Sequence, residues 1–481
     1  MDIRSKSNFQ TKAWNPLHQE RSRRHPIHWL VLVMVLVLLP IGVRTAQAAE
    51  AVPAAAPAAP AVAEQEKRGF NGLSKISATC VSCHAEENRA IVQQWGNSKH
   101  YGANVGCYEC HKAEKEDADA FMHKKYLISI LVTPKDCARC HETETKQFTA
   151  SKHAKSGGNL EGSVDHALAT TVQSDGTPAG TQTATLACVQ CHGSTVKVAP
   201  SGKLDPATWP NSGIGRINPD GSVGACSSCH QNHDFSQTQV RSPDACGKCH
   251  QGPAHSQKEI YEASKHGANY RANFEKMHLD SPKWIPGQDY VSGPTCVTCH
   301  MSPTMDVAMT HDVGQRISWD LTQPISKKTE NAEAHRQDMR DVCSSCHTDK
   351  VSKNFYEQFD SIVKLYNSKY GEPGTRLMDG LLKANLRSKK SFDDAIEWTW
   401  FKLWHQAGRK ARQGAAMQAP DFVQWQGFYE VAELFYTQLI PQAEELITKA
   451  EAGGRGTEVA EVRKLLNDIK NDPSNKWMKG Q

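Results

Sequence analysis

The sequence predicts a mainly α protein, with short helices and irregular chain over residues 69–350 and a bundle of long helices over 351–481. Three observations support this fold class. The 481-residue chain carries sixteen cysteines, and the last of them is Cys346. The segments between the cysteines are short, polar and contain glycine and proline. After His347, apolar residues begin to recur at the spacing of a helix.

The first 48 residues have the order of a secretory signal peptide. Three arginines at positions 21, 23 and 24 precede an apolar run over residues 27–43, and an Ala-Gln-Ala sequence ends at residue 48. The alternative is an uncleaved anchor, because the basic region is long, although the run is short for a full membrane span. Residues 49–68 are an Ala/Pro-rich linker. We expect an exported, periplasmic protein, with or without an N-terminal anchor.

The net charge gives no reason to expect a basic surface that binds nucleic acid. The whole chain has a formal charge of +4, and residues 1–48 contain seven Lys/Arg and two Asp/Glu, which is +5. The remaining chain is therefore close to −1, so we expect no nucleic-acid partner.

Every cysteine belongs to a C-x-x-C pair that is followed at once by a histidine. The eight motifs are Cys80, Cys83 and His84; Cys107, Cys110 and His111; Cys137, Cys140 and His141; Cys188, Cys191 and His192; Cys226, Cys229 and His230; Cys246, Cys249 and His250; Cys296, Cys299 and His300; and Cys343, Cys346 and His347. Zinc sites and disulfides do not require a histidine after each pair. C-x-x-C-H is the attachment pattern of c-type haem, so the sequence predicts eight covalent haems.

Such a domain needs fewer apolar side chains, because porphyrins fill much of its core. The apolar fraction of 38% is low for a globular protein and agrees with this expectation. Beyond His347, three stripes have helical spacing and predict core-facing helices. They are Phe355, Phe359, Ile362 and Tyr366; Ile396, Trp400, Leu403 and Trp404; and Phe428, Val431, Phe435 and Leu439. Pro441 predicts a stop or kink after the third stripe.

Eleven histidines remain as ligands for the second axial position of the irons. They are His100, His123, His153, His166, His233, His255, His266, His278, His311, His335 and His405. Their number permits eight closed bis-histidine haems, or seven with one open iron. Ser-Lys-His occurs three times, ending at His100, His153 and His266, which favours a recurrent ligand site. His233, three residues after His230, is placed to serve a neighbouring haem.

The motif number and order resemble the octahaem hydroxylamine oxidoreductase family from about residue 70 to 450. The resemblance rests on the 46-residue gap before Cys188, the stretch CSSCHQNHDFS, the segment CGKCHQGPAHSQ, the block TCVTCHMS with His311-Asp312 after it, and the helical tail. It implies a catalytic haem at the fourth motif, held by Cys188, Cys191 and His192, with an open position for a small nitrogen species. The other seven haems are then bis-histidine carriers, with distal ligands His100, His123, His153, His233, His266, His311 and His405.

The resemblance also implies proton donors beside the open iron. His255 is the first candidate, since the family uses an acid and a histidine there. Ala254 replaces the acid, and Asp234 is the substitute that we consider. In oxidising, trimeric members, a tyrosine cross-links the catalytic porphyrin of an adjacent subunit. Phe422, Tyr429 or Tyr436 occupies that place here, and the Ala254 departure favours reduction slightly.

The sequence therefore leaves two classes of function open. The first is an octahaem enzyme that interconverts hydroxylamine, nitric oxide, nitrite or ammonium, and the second is an electron conduit in which every iron is closed. By resemblance we expect a homotrimer and a redox partner that is a cytochrome or a quinone-linked membrane protein.

Overall fold

The computed structural model describes residues 73–158 and 187–475, and shows a mainly helical chain with little strand. This confirms the predicted fold class. The predicted signal peptide and the whole predicted linker lie outside the described residues. No helix within these two ranges is long and apolar enough to cross a membrane.

The motif-bearing part contains short helices joined by turns. Its helices are α1 (Lys75–Glu87), α2 (Arg89–Asn97), α3 (Lys99–Gly102), α4 (Cys107–His111), α5 (Pro134–Cys137), α6 (Glu142–Ala150), α7 (Cys188–His192), α8 (Gln237–Arg241), α9 (Pro243–Gly247), α10 (Gln257–Ala263), α11 (Lys265–Ala272), α12 (Cys296–His300) and α13 (Ala332–Ser344). Two antiparallel pairs join strands β1 (Phe121–His123) and β2 (Tyr126–Ile128), and β3 (Trp319–Asp320) and β4 (Lys327–Lys328). Helices this short are not stable alone, so tertiary contacts must hold them.

The C-terminal part is built from longer helices. They are α14 (Asp349–Tyr366), α15 (Glu372–Lys383), α16 (Ala395–Phe401), α17 (Gly408–Met417), α18 (Pro420–Val423), α19 (Glu430–Glu433), α20 (Ile440–Ala450) and α21 (Gly456–Asn471). Wider π-helical turns connect several of them without a break, such as Asn367–Gly371 between α14 and α15. Another such turn, Leu434–Leu439, precedes Pro441, which then lies in the first turn of α20. The helix therefore continues past this proline, because the first turn needs no amide from it.

The main buried apolar cluster of the C-terminal part is larger than the cluster beside the first motif. The largest buried apolar cluster runs from Tyr366 to Ile469 and includes Leu381, Leu403 and Phe435, which are fully buried. The first motif, by contrast, has a cluster of three buried side chains, those of Val81, Val92 and Trp95. The described residues of both parts nevertheless belong to one compact unit. The predicted domain boundary at residue 350 stays a prediction.

Candidate functional site

Each C-x-x-C-H motif forms a single helical turn. This turn brings the two cysteines, three residues apart, to one side and places the histidine beside them. Helices α4, α7 and α12 each begin at the first cysteine and end at the histidine. In the third, fifth, sixth and eighth motifs, the histidine amide donates to the first cysteine's carbonyl at 2.8–2.9 Å. All sixteen cysteines are free thiols. Both sulfurs of each motif can thus form thioether bonds.

A second histidine ring faces the motif histidine in seven of the eight motifs within the described ranges. The ring centroids lie 5.9–6.4 Å apart. The pairs are His84 with His123, His111 with His233, His141 with His100, His192 with His255, His230 with His311, His250 with His153, and His347 with His266.

This spacing fits one metal ion between the two rings. Imidazole nitrogens about 2 Å from a shared metal are about 4 Å apart, which puts the ring centroids about 6 Å apart. The residues present therefore fit bis-histidine haems, with the two cysteines of each motif as the covalent anchors. Six of the seven distal ligands that the family resemblance implies face a motif histidine in this way.

The three Ser-Lys-His repeats share one local structure. Ser98, Ser151 and Ser264 are buried, and each hydroxyl donates at 2.6 Å to the carbonyl of the aromatic residue three positions earlier. Ser98 and Ser264 also cap the next helix, because their hydroxyls accept from the amides of Tyr101 and Gly267. The serine thus fixes the turn that presents the histidine two residues later.

The motifs meet one another through their thiols, which stand in for the thioether sulfurs. Thiol hydrogen bonds join Cys137 with Cys226, Cys249 with Cys191, and Cys246 with Cys296. In four further pairs, burial and then the charge of the neighbouring thiol raise the pKa of a cysteine. These pairs are Cys107 with Cys80, Cys110 with Cys137, Cys229 with Cys246, and Cys299 with Cys343. The motif order in space is therefore 1-2-3-5-6, and from the sixth motif one branch leads to the fourth and another to the seventh and eighth.

The fourth motif has an additional cluster on the side of His255. His405 and Arg409 project from the C-terminal part, and both side chains are buried. The pKa of His255 falls to about 4 through burial and then the charge of Arg409. The pKa of His405 falls to about 3 through burial, Arg409 and His255. Both imidazoles are consequently neutral at neutral pH.

Arg409 has a fixed position in this cluster. Its Nε donates to the Thr322 carbonyl at 3.2 Å, and its guanidinium lies 5.3 Å over the Trp404 ring. Sequence reasoning missed this residue, although its position four residues after His405 on a helical stretch was a usable signal. Among the facing histidines with a shifted pKa, an arginine contributes only at His255.

The structure also describes two further predicted site residues, Asp234 and His405. Asp234 follows His233, which faces the second motif, and its carboxylate accepts from the Ser236 amide at 3.4 Å. Its role at the fourth motif stays a prediction. His405 stacks on Phe401 at 4.2 Å and shares the charge environment of His255. It therefore belongs to the surroundings of the fourth motif, where His255 already faces His192 at 6.2 Å.

The family comparisons agree with a multihaem cytochrome. Residues 220–385 match the family described as "Seven times multi-haem cytochrome CxxCH", and residues 44–112 and 136–215 match "Cytochrome c554 and c-prime". One similar solved structure is titled "Hypothetical multiheme protein". It is 25% identical with a TM-score of 0.73, and the match covers 82% of this chain and 99% of that chain.

A second similar structure is a Kuenenia stuttgartiensis "reducing HAO-like protein complex". It is 21% identical with a TM-score of 0.59, and the match covers 82% of this chain and 87% of that chain. At this identity the likeness shows a shared fold.

Replacement of the capping serine tests the histidine-presenting turn. Ser264→Ala removes two hydrogen bonds of a buried hydroxyl, so we expect a loss of about 1 kcal/mol of unfolding free energy and a high-spin fraction at one haem as His266 loosens. Denaturant unfolding and electron paramagnetic resonance measure the two effects. Ser361→Ala is the control, because that hydroxyl donates only to the Glu357 carbonyl on an exposed helix face. Equal effects of the two variants would contradict the role of Ser264.

Proposed function

Because the chain is a multihaem c-type cytochrome, we propose that it is an exported octahaem oxidoreductase of the hydroxylamine oxidoreductase type. In this proposal, hydroxylamine, nitric oxide, nitrite or ammonium reacts at the haem of the fourth motif, and the other seven haems carry electrons. Reduction of nitrite or hydroxylamine to ammonium is the favoured direction. The observation that carries the proposal is the cluster of His255, His405 and Arg409 opposite His192.

The cluster has the groups that reduction of a nitrogen oxyanion requires. The haem, held by Cys188, Cys191 and His192, would supply electrons and a Lewis-acidic iron. Arg409 is a fixed, buried cation, and such a charge stabilises an anion such as nitrite more strongly than an exposed one does.

Proton supply falls to the two histidines. The depressed pKa values of His255 and His405 keep both imidazoles neutral at pH 7. A neutral imidazole donates its N–H hydrogen bond to a bound substrate. It relays a proton when its free nitrogen accepts one from solvent while the N–H nitrogen releases its own. Each electron that reaches a nitrogen oxide must be matched by protons, so donors next to the substrate accelerate the reaction.

Substrate access requires space beside His255. A cavity of about 250 Å³ is lined by Gly252, Pro253 and Ser256 from the loop that carries His255, and by Lys410 and Phe422 from the C-terminal part. Gly252 has a positive φ of 81°, which only glycine adopts readily. The cavity borders the loop that carries His255, and is large enough for a small nitrogen species.

A second candidate function is the electron conduit. The observation that favours it is the 6.2 Å separation between His192 and His255, which falls within the range of the other six pairs. If His255 is an iron ligand at all times, all seven of these haems are closed and no substrate reaches the fourth.

Candidates for the tyrosine cross-link differ in exposure. Phe422 and Tyr436 are buried, and the Tyr436 hydroxyl donates to Asn475. Tyr429 is 57% exposed beside the exposed Trp425. In the proposed homotrimer, Tyr429 is thus the residue of the three that can reach a second copy. The similar Kuenenia stuttgartiensis structure is described as a reducing complex. This description supports reduction of the nitrogen substrate as the direction of the reaction, and a protein as the redox partner.

Arg409→Gln tests recognition of the anion. We expect kcat/KM for nitrite to fall about 100-fold, because a buried charge–anion contact is lost, and for the neutral substrate hydroxylamine to fall less than about 3-fold. Arg409→Lys should recover part of the nitrite activity. Arg455→Gln, at an arginine that pairs with Glu458 elsewhere, is the control. An equal loss for both substrates would mean that Arg409 does not recognise charge.

His255→Ala separates the enzyme from the conduit. If the protein is the proposed enzyme, the reduced wild type binds one nitric oxide molecule per chain, and the variant keeps that binding. Nitrite turnover by the variant falls about 100-fold, because the imidazole proton donor is lost. The conduit expects no binding by the wild type and one new binding haem in the variant. Absorption titrations measure both, with the exposed His278→Ala as the matched control.

The absorption spectrum tests the direction of the reaction. The reductive proposal expects the dithionite-reduced protein to lack the red-shifted Soret shoulder of a cross-linked haem, because no tyrosine is joined to the porphyrin. The opposite result is a shoulder that Tyr429→Phe abolishes and Tyr436→Phe leaves unchanged. It would mean that Tyr429 is cross-linked to the porphyrin and that the protein oxidises hydroxylamine instead.

A further inference from the structure

The seventh motif differs from the others in its distal side. Its histidine, His300, is not faced by a second histidine ring at the spacing of the seven pairs, as far as the described chain goes. The His300 side chain is nevertheless held in place, since its Nδ1 lies 3.3 Å from the Val313 carbonyl oxygen. An iron bound there needs a sixth ligand from another segment, or remains open.

His335 is held by the same short segment as His300. Its Nδ1 lies 3.1 Å from the carbonyl oxygen of Ile317, four residues after Val313. A turn keeps the two carbonyls close, because the Ile317 amide donates to the Gly314 carbonyl at 3.0 Å. Both imidazoles are therefore tied through Nδ1 to neighbouring points of one loop.

These contacts also set the tautomer of His335. A carbonyl oxygen only accepts, so Nδ1 must carry the proton, and the lone pair is left on Nε2. Haem and metal ligands use this arrangement, in which the backbone carbonyl orients the ring and increases its basicity. His111, the motif histidine of the second haem, has the same contact, with its Nδ1 2.8 Å from the Ser129 carbonyl.

The surrounding structure holds the two histidines together. Helix α13, which carries His335, contacts helix α12, which is the seventh motif. The buried Arg316 donates to the carbonyls of Cys299, Ser302 and Ala308, and so fixes the loop against the end of α12. Next to His335, Arg336 forms an ion pair with Asp360 at 2.7 Å.

We infer that His335 is the sixth iron ligand of the seventh haem. The expected ligand His405 stacks on Phe401 and lies in the charge environment of Arg409 and His255, at the fourth motif. The inference rests on the chain being a multihaem c-type cytochrome, and holds whichever reaction the fourth motif carries.

Closure of this haem has a consequence for electron transfer. The seventh motif lies between the sixth and the eighth, because its Cys296 thiol hydrogen-bonds to Cys246 and its helix α12 contacts α13, which contains Cys343 of the eighth motif. An iron with two histidine ligands changes oxidation state with little change of geometry and does not bind small molecules. Electrons then pass to the eighth haem without a side reaction at the seventh.

Spectroscopy of two His335 variants tests the ligand. We expect His335→Ala to add one high-spin haem per chain in the electron paramagnetic resonance spectrum, and added imidazole to restore the low-spin state. His335→Met keeps a sixth ligand and should raise the midpoint potential of one haem, because methionine with histidine favours reduced iron. His278→Ala, at an exposed histidine, is the control and should change neither property.

Two results would overturn the inference. One is an unchanged spin state in His335→Ala together with an unchanged set of potentials in His335→Met. The other is a new high-spin haem in His405→Ala and none in His335→Ala. The change in nitric oxide binding between the wild type and His255→Ala, measured on the same preparations, reports on the fourth motif, because a seventh haem left open would bind nitric oxide equally in both proteins. Failure of the proposed enzyme function therefore remains distinguishable from failure of the His335 assignment.

Discussion

The pairing of two distant histidines across one iron is the constraint on which the motif-bearing part depends. Its helices are short, and the first motif has only the small cluster of Val81, Val92 and Trp95 beside it. The facing pairs connect segments far apart in the sequence, such as His111 with His233 and His153 with His250. If each pair closes on one haem iron, folding of this part is coupled to haem attachment, as it is to metal in other small-core domains.

The sequence is sufficient to predict the features that depend only on residues close together in the chain. The C-x-x-C-H pattern predicts eight haem anchors, and the Ser-Lys-His repeat predicts histidine-presenting turns, because spacing along the chain determines both. Which histidine faces which motif depends on tertiary structure and cannot be read from spacing. His405, which was expected to be a distal ligand, shares the charge environment of His255. The carbonyl that orients His335 lies 18 residues away from it in the sequence, so spacing could not single this histidine out.

The C-terminal helices do more than add a side-chain core. Their large apolar cluster, from Tyr366 to Ile469, is independent of the histidine pairs and gives a rigid support. Helix α17 packs against α10, the helix that follows the His255 loop. The same support therefore delivers Arg409 and His405 to the fourth motif, where a preorganised charge requires a scaffold that does not relax around it.

The branched order of the motifs bears on where chemistry occurs. In the described chain, the network has three ends, at the first, fourth and eighth motifs. The first and eighth ends are open to solvent at His123 and His347, where a redox partner can exchange electrons. At the fourth end, the Cys191 thiol hydrogen-bonds to Cys249 of the sixth motif, and the C-terminal part contributes the buried side chains of His405 and Arg409. The enzyme proposed above uses such an end, because electrons that arrive there from the sixth motif meet the bound substrate.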